Sequence, residues 1–207
     1  MFTVDYSMTN KQKTSHRQAQ KEDTRRLILD SAYVLFAKKG YAKTTMRTLA
    51  DQAGIGLGTI FKHFPDKPSL LAAAFQDDLS IVIQKSFKEL PESDLKKQLL
   101  HITKGLYSFY AKNPKFSRTL IKEVLFLEGE HGKILDAQID VFLNEICGLL
   151  NKAKENNEIK QDINTHDGAL AFWSFYFTVL LMGLKQPSFE VNIQLNIIEK
   201  LIENYFY

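Results

Sequence analysis

Residues 45–64 read TMRTLADQAGIGLGTIFKHF, and this stretch decides the fold of the chain. Two short helices can cross steeply here only if a tight turn joins them. Gly54 supplies a turn residue that tolerates a positive φ, and Ala50 is small enough for the helices to touch. The predicted inward-facing apolar side chains are Leu49, Ile55, Ile60 and Phe64. The spacing therefore predicts a helix-turn-helix.

The flanking sequence predicts one helix before this motif and one after it. Apolar residues at helical spacing follow residue 24, and Pro65 interrupts the pattern after the motif. The predicted boundaries are Asp23 or Thr24 and Gly40 for the first helix, Thr44 or Thr45 and Gly54 for the second, 57–63 for the third, and Asp66 and about Leu90 for the fourth.

The remaining sequence also reads as helix and contains no convincing strand. Helical patterns cover 94–112, 115–129, 133–156, 165–185 and 190–206. We therefore predict an all-α protein of about nine helices, in which a three-helix helix-turn-helix domain joins a larger helical bundle. The predicted parts are a disordered basic leader at 1–21, a DNA-binding domain at 22–70 and a regulatory domain at 71–207. Met1 and Met8 are both candidate starts.

Charge is distributed unevenly along the chain, whose formal net charge is +3. Residues 1–67 hold 12 lysines and arginines against 6 aspartates and glutamates, and residues 68–207 hold 15 against 18. The basic front is the part expected to meet a polyanion. A single cysteine excludes an internal disulfide, and the polar start lacks the apolar segment of a secretory signal. These features predict a cytoplasmic protein.

One segment could be confused with a membrane span. Residues 168–184 read GALAFWSFYFTVLLMGL and carry no charge. A helix buried on all sides in a soluble protein has the same composition, and the rest of the chain is amphipathic. We interpret the segment as a core helix and expect no membrane association.

The second helix of a helix-turn-helix lies in the major groove of DNA. Its outward positions can contact base edges, while the preceding helix and the helix ends contact phosphates. The predicted DNA-binding residues are Thr45, Arg47, Gly56, Leu57, Gly58, Thr59, Phe61, Lys62, His63 and Lys67.

Residues 24–71 resemble the first domain of the TetR family of transcriptional regulators. The matching residues are Phe36, Gly40-Tyr41, Thr44-Thr45, Leu49-Ala50, Ala53-Gly54-Ile55, Gly58-Thr59-Ile60, His63-Phe64 and Lys67. Three positions depart from the family pattern: Gly56 replaces a capping Ser or Thr, Phe61 replaces a phosphate-binding tyrosine, and Pro68 replaces an acidic residue. The remaining two thirds matches the family only in length and helicity.

The resemblance implies that the second part encloses a cavity for a small effector and pairs with a second subunit. The predicted effector-binding residues are Phe126, Phe142, Trp173 and Tyr176, and an apolar or aromatic effector is expected. Helices near 165–185 and 190–206 are apolar enough to form a homodimer interface. The five histidines lack metal-ligand spacing, so neither a metal nor a cofactor is expected.

These features favour a homodimeric repressor that an effector releases from a palindromic or near-palindromic operator. Two alternatives remain open at this point. One is a ligand-independent DNA-binding protein of the same fold, such as a nucleoid or cell-division factor. The other is a soluble helical enzyme, for which the sequence offers no catalytic constellation.

Overall fold

The computed structural model describes the backbone of residues 6–207 and the side chains of residues 16–207. Within this range every regular element is a helix, as the sequence predicts. The helices are α1 Tyr6–Lys39, α2 Met46–Ala53, α3 Leu57–His63, α4 Lys67–Lys88, α5 Leu95–Ala111, α6 Pro114–Val124, α7 Gly129–Glu155, α8 Thr165–Lys185 and α9 Val191–Phe206.

Helix α1 differs from the prediction at its beginning. It begins at Tyr6, so the predicted leader is helical from there on, and residues 1–5 lie outside the described residues. Thr24 is not a cap, because its hydroxyl donates to the Gln20 carbonyl inside the helix (2.8 Å). The segment from residue 6 to residue 23 holds three Lys and three Gln and has no Gly or Pro, so nothing in it stops the helix from extending backward.

The chain divides into two compact units, Met1–Ala74 and Phe75–Tyr207. In the first unit α1 packs on α2, and α2 packs on α3. The core of this unit is fully buried and includes Ile28, Leu49, Ile60 and Phe64. Asp66 caps α4 as predicted, since its carboxylate accepts from the Ser69 N–H (2.7 Å). The unit is thus a small scaffold built around the helix-turn-helix.

The second unit is a bundle in which α8 packs against α6, α7 and α9, and α5 packs against α9. At Gly183 a Cβ atom would lie 2.6 Å from the Phe189 ring, so α8 and the chain leading to α9 approach closely only with glycine there. The hydroxyl of buried Tyr107 donates to the Tyr176 carbonyl (2.9 Å) and ties α5 to α8. The core of the bundle therefore centres on α8.

Helix α8 is also the one described helix that is long and apolar enough to cross a membrane by length and composition. Its contacts with three other helices are those of a core helix. A strip of its surface remains open and holds Leu170 and Met182, which are 51% and 50% exposed.

Candidate nucleic-acid interface and ligand cavity

The start of α2 is fixed by hydrogen bonds between two threonines. The Thr48 N–H donates to the Thr45 hydroxyl (3.1 Å), and the Thr45 N–H donates to the Thr48 hydroxyl (3.0 Å). This reciprocal arrangement is a capping box, which satisfies amide groups that the helix leaves without partners. Thr45, predicted to bind DNA, therefore already has a structural role at the end of α2.

The turn between α2 and α3 depends on Gly54. Its φ is +65°, in the left-handed region, and its N–H donates to the Asp51 carbonyl (3.2 Å). The following Ile55 N–H donates to the Ala50 carbonyl (3.0 Å). Together these two bonds form a Schellman motif, in which glycine avoids the steric penalty of the left-handed conformation. The predicted turn is confirmed, and it fixes the direction in which α3 leaves α2.

Helix α3 buries one side and exposes the other. Ile60 and Phe64 are fully buried, whereas Leu57 and Phe61 are 40% and 46% exposed. Leu57 and Phe61 lie four residues apart and so share a face of the helix. Lys62 and Gly58 are exposed, and Thr59 is half-buried. The outward surface of α3 is therefore mostly apolar and small, with one cation at its carboxyl end.

The backbone requires glycine neither at the N-cap of α3, which is Gly56, nor inside the helix at Gly58. Gly56 is the N-cap at φ −69° with no side-chain capping bond. A Cβ at Gly58 would meet nothing within 4 Å, so alanine would fit there. Alanine also favours helix by about 1 kcal/mol over glycine. Gly58 thus lowers helix propensity and leaves space outside the helix, which suits close approach of another molecule.

Lys67 contacts the loop that precedes α2. Its ammonium group donates to the carbonyls of Tyr41 and Thr44, both at 3.0 Å, and lies 4.1 Å from the centre of the Tyr41 ring. These hydrogen bonds fasten the loop between α1 and α2 to the start of α4. The phosphate contact expected of this residue stays a prediction.

His63 is half-buried at the end of α3, beside basic residues of α1. Burial holds the pKa of His63 below its ordinary value of 6.5, and the positive charges of Lys21 and Arg25 add to this effect against an opposing contribution from Glu22. No role was predicted for Lys21 or Arg25, because both lie far from α3 in the sequence. They come close to His63 only because α1 packs against the helix-turn-helix.

The second unit encloses a cavity of about 240 Å³. Three of the four predicted effector-binding residues, Phe142, Trp173 and Tyr176, line it. Phe126 does not line it, and its side chain is 87% exposed. Phe126 follows the end of α6, and the leucines on either side of it, Leu125 and Leu127, line the cavity in its place. Helical periodicity does not extend into this turn, so it could not assign the direction of that side chain.

The aromatic rings of the cavity pack on one another. Trp173 lies with its ring centre 5.9 Å from that of Phe177, nearly parallel at 8°, and 5.6 Å from that of Phe142 at 62°. The hydroxyls of Tyr110 and Tyr176 are hydrogen-bonded to each other, and burial raises the pKa of Tyr110 to about 12. Both phenols therefore stay neutral across physiological pH.

Comparisons with known proteins agree with this architecture. The chain is 26% identical to the HTH-type transcriptional repressor KstR of Mycobacterium tuberculosis over 146 residues, covering 70% of this chain and 64% of that protein. It is 40% identical to the transcriptional regulator YvkB of Bacillus subtilis over 79 residues, covering 38% of this chain and 41% of that one. The matches thus span less than two thirds of either relative's length.

The family model described as "Bacterial regulatory proteins, tetR family" matches residues 28–74. Residues 28–74 are thus similar to the first domain of TetR-family regulators. The resemblance noted in the sequence is confirmed, and the matched residues end where the first compact unit ends.

A likeness in fold to a known structure extends through the second unit as well. A crystal structure of FadR from Bacillus subtilis in complex with stearoyl-CoA superposes with a TM-score of 0.68, covering 86% of this chain and 97% of FadR, at 20% identity. At this identity the likeness establishes the fold. The residues that match the TetR family model thus lie in the first unit, while the second unit shares only the fold of the compared structure.

Proposed function

We propose that the chain is a DNA-binding transcriptional regulator, a repressor that a small effector releases from its operator. The observation that carries this proposal is the outward surface of α3, which is held on a fully buried core and yet exposes two large apolar side chains. A free protein gains nothing by exposing Leu57 and Phe61 on such a short helix. A helix in the major groove buries these side chains against base edges and thymine methyl groups.

The proposed contacts follow from exposure and position. Leu57, Gly58 and Phe61 face the groove floor, and Lys62 and Arg47 are exposed cations that reach phosphates or bases. The half-buried Thr59 offers a hydroxyl at the groove edge. Gly56, Thr45, His63 and Lys67 complete the predicted set, with Thr45 and Lys67 contributing mainly by positioning α2 and α4.

Dimerisation would use the open apolar surface of α8 and α9. Leu170 and Met182 on α8 and Ile193 on α9 are each at least half exposed, although they belong to the two helices that close the bundle. Pairing with a second copy removes this surface from water. A twofold dimer presents two α3 helices to half-sites about 34–36 Å apart, as a palindromic operator requires.

Effector control would pass through α4. This helix contributes Leu79 and Ile83 to the cavity wall and begins in the first unit at Lys67. An effector that prefers the DNA-incompetent state shifts the population, and moving it from 1:99 to 99:1 takes about 5.5 kcal/mol of differential affinity. The similarity to the repressor KstR and to a ligand complex of FadR supports a ligand-responsive repressor.

The test is footprinting of the purified protein on the DNA that flanks its gene, with and without candidate effectors. We expect one protected palindromic site whose occupancy falls steeply with salt. Lys62→Ala and Thr59→Ala should each weaken this binding, whereas Lys152→Ala, an exposed lysine in the second unit, should not. Many dispersed sites in place of one operator would contradict the proposal, as would unchanged affinity in both α3 variants.

A further inference from the structure

The charged residues around the cavity indicate which class of ligand it can hold. Among the residues that line it, all within the described chain, Asp136 is the one acidic residue, and none is a lysine or arginine. Asp136 is exposed, which places its carboxylate at the mouth of the cavity and not in its interior. A buried anion without a cationic partner is strongly disfavoured. The cavity is therefore a poor site for a carboxylate or phosphate.

The polar groups of the wall offer little to an anion either. One amide proton of Gln138 is donated to the Ser80 hydroxyl (3.0 Å). The Tyr176 hydroxyl is engaged with that of Tyr110. Most donors near the cavity are thus already used within the protein.

The aromatic wall, in contrast, suits a cation. The Trp173, Phe177 and Phe142 rings lie within 6 Å of a neighbour and border the same space. Faces of tryptophan, tyrosine and phenylalanine attract a quaternary ammonium group, which is weakly hydrated and costs little to desolvate. The carboxylate at the mouth of the cavity and the aromatic rings inside it therefore both favour a cation.

We propose that the effector is a small lipophilic cation, whose apolar body enters the aromatic cavity and whose positive charge lies near Asp136. This inference rests on the proposed function, in which the cavity takes the effector. The cavity of about 240 Å³ limits the apolar body to a short chain or a few rings.

The chain contains one tryptophan, so its fluorescence reports directly on the cavity. Three probes with the same chain, octyltrimethylammonium, 1-octanol and octanoate, are titrated below their micelle concentrations. We expect the cation to bind at least tenfold more tightly than octanoate and more tightly than octanol. Tighter binding of octanoate or octanol, or no response to any probe, would overturn the assignment.

Two variants separate charge from packing. Asp136→Asn should weaken cation binding by about fivefold and leave octanol unchanged, whereas Asp140→Asn, one turn further along α7 and outside the cavity, should change neither. Phe177→Leu keeps an apolar side chain but removes a π face, so it should weaken the cation several-fold more than octanol. Equal effects of Asp136→Asn and Asp140→Asn would refute the role of Asp136.

The same probes separate this inference from the function on which it rests. If an operator is found and octanoate releases it while the cation does not, the effector class is wrong and the repressor function stands. If the cation binds as expected but no operator is found, the class of ligand stands and the repressor function is wrong.

Discussion

The two units place their functional groups in opposite ways. In Met1–Ala74 the core is fully buried, and the residues proposed to meet a partner stand outside it on α3. In Phe75–Tyr207 the residues proposed to meet a ligand line a cavity inside the bundle. A rigid binding surface requires only a well-packed core beneath it. An interior binding site requires a core in which some space is left unfilled.

Two glycines, Gly58 and Gly132, illustrate this difference between the units. Gly58 on α3 faces open space, so its lack of a side chain serves the outside of the molecule. Gly132 on α7 lines the cavity, and a Cβ there would overlap the Leu127 carbonyl, so its lack of a side chain serves the inside. Pairs of matched substitutions test whether the two units differ in this way.

The largest effect is expected at Gly132. Gly132→Ala forces the turn after α6 away from α7 and should lower the free energy of unfolding by about 3 kcal/mol. Gly148→Ala in the same helix meets nothing within 4 Å and should raise it by about 0.5–1 kcal/mol. Urea unfolding of both variants measures the contrast. If both variants had the same stability, Gly132 would not shape this wall.

The next largest effect on stability is expected from two lysines of the first unit, of which Lys67 has a structural role and Lys62 is proposed to bind DNA. Lys67→Met removes two charge-assisted hydrogen bonds and should lower the free energy of unfolding by about 2 kcal/mol. Lys62→Met on the exposed face of α3 should leave stability within about 0.5 kcal/mol but lower the salt slope of operator binding by about 1. Urea unfolding and binding at several salt concentrations measure both. Equal destabilisation by the two variants would contradict the assignment.

Gly54 and Gly58 separate folding from binding within the helix-turn-helix. Gly54→Ala places a side chain at φ +65° and should cost about 1–2 kcal/mol of stability. Gly58→Ala should add up to about 1 kcal/mol, yet weaken operator binding, because a methyl group then stands between α3 and the groove. Thermal unfolding and operator titration together measure the pair. Unchanged operator affinity in Gly58→Ala would mean that DNA does not approach this position closely.

The smallest effect concerns pH. Because the pKa of His63 is lowered in the folded state, the unfolded chain binds more protons between that value and 6.5. The stabilisation from a neutral His63 is therefore complete above pH 6.5 and is lost as the pH falls toward the folded pKa. His63→Gln should show a flatter stability profile between pH 7 and 5 than the unsubstituted protein. A steeper profile in the variant would reverse the sign of this argument.

The sequence predicted most of the fold because its signals are local. Gly54, Thr45 and Asp66 mark helix ends through hydrogen bonds with residues three or four positions away, so each could be recognised without tertiary information. The bounds of α5, α8 and α9 were predicted within one or two residues for the same reason. Prediction was wrong at Thr24, where a good cap type lies inside a longer helix.

The candidate sites were less predictable where they depend on distant contacts. Lys67 has the residue type of a phosphate ligand, but its partners lie 23 and 26 residues away in the loop before α2. Phe126 has the residue type of a cavity wall, but it belongs to a turn that has no periodicity. The proximity of Lys21 and Arg25 to His63 left no signal in spacing at all.

The sequence by itself determined most of the helices and the helix-turn-helix, because periodicity, caps and a positive-φ glycine act within a few residues. Only the tertiary structure decided which helices meet and where space is left between them. It brought the Lys67 ammonium group to the carbonyls of Tyr41 and Thr44 and kept the space beside Trp173 open. The physical reason is that burial is a property of the neighbours a residue meets in space, and those neighbours come from other helices.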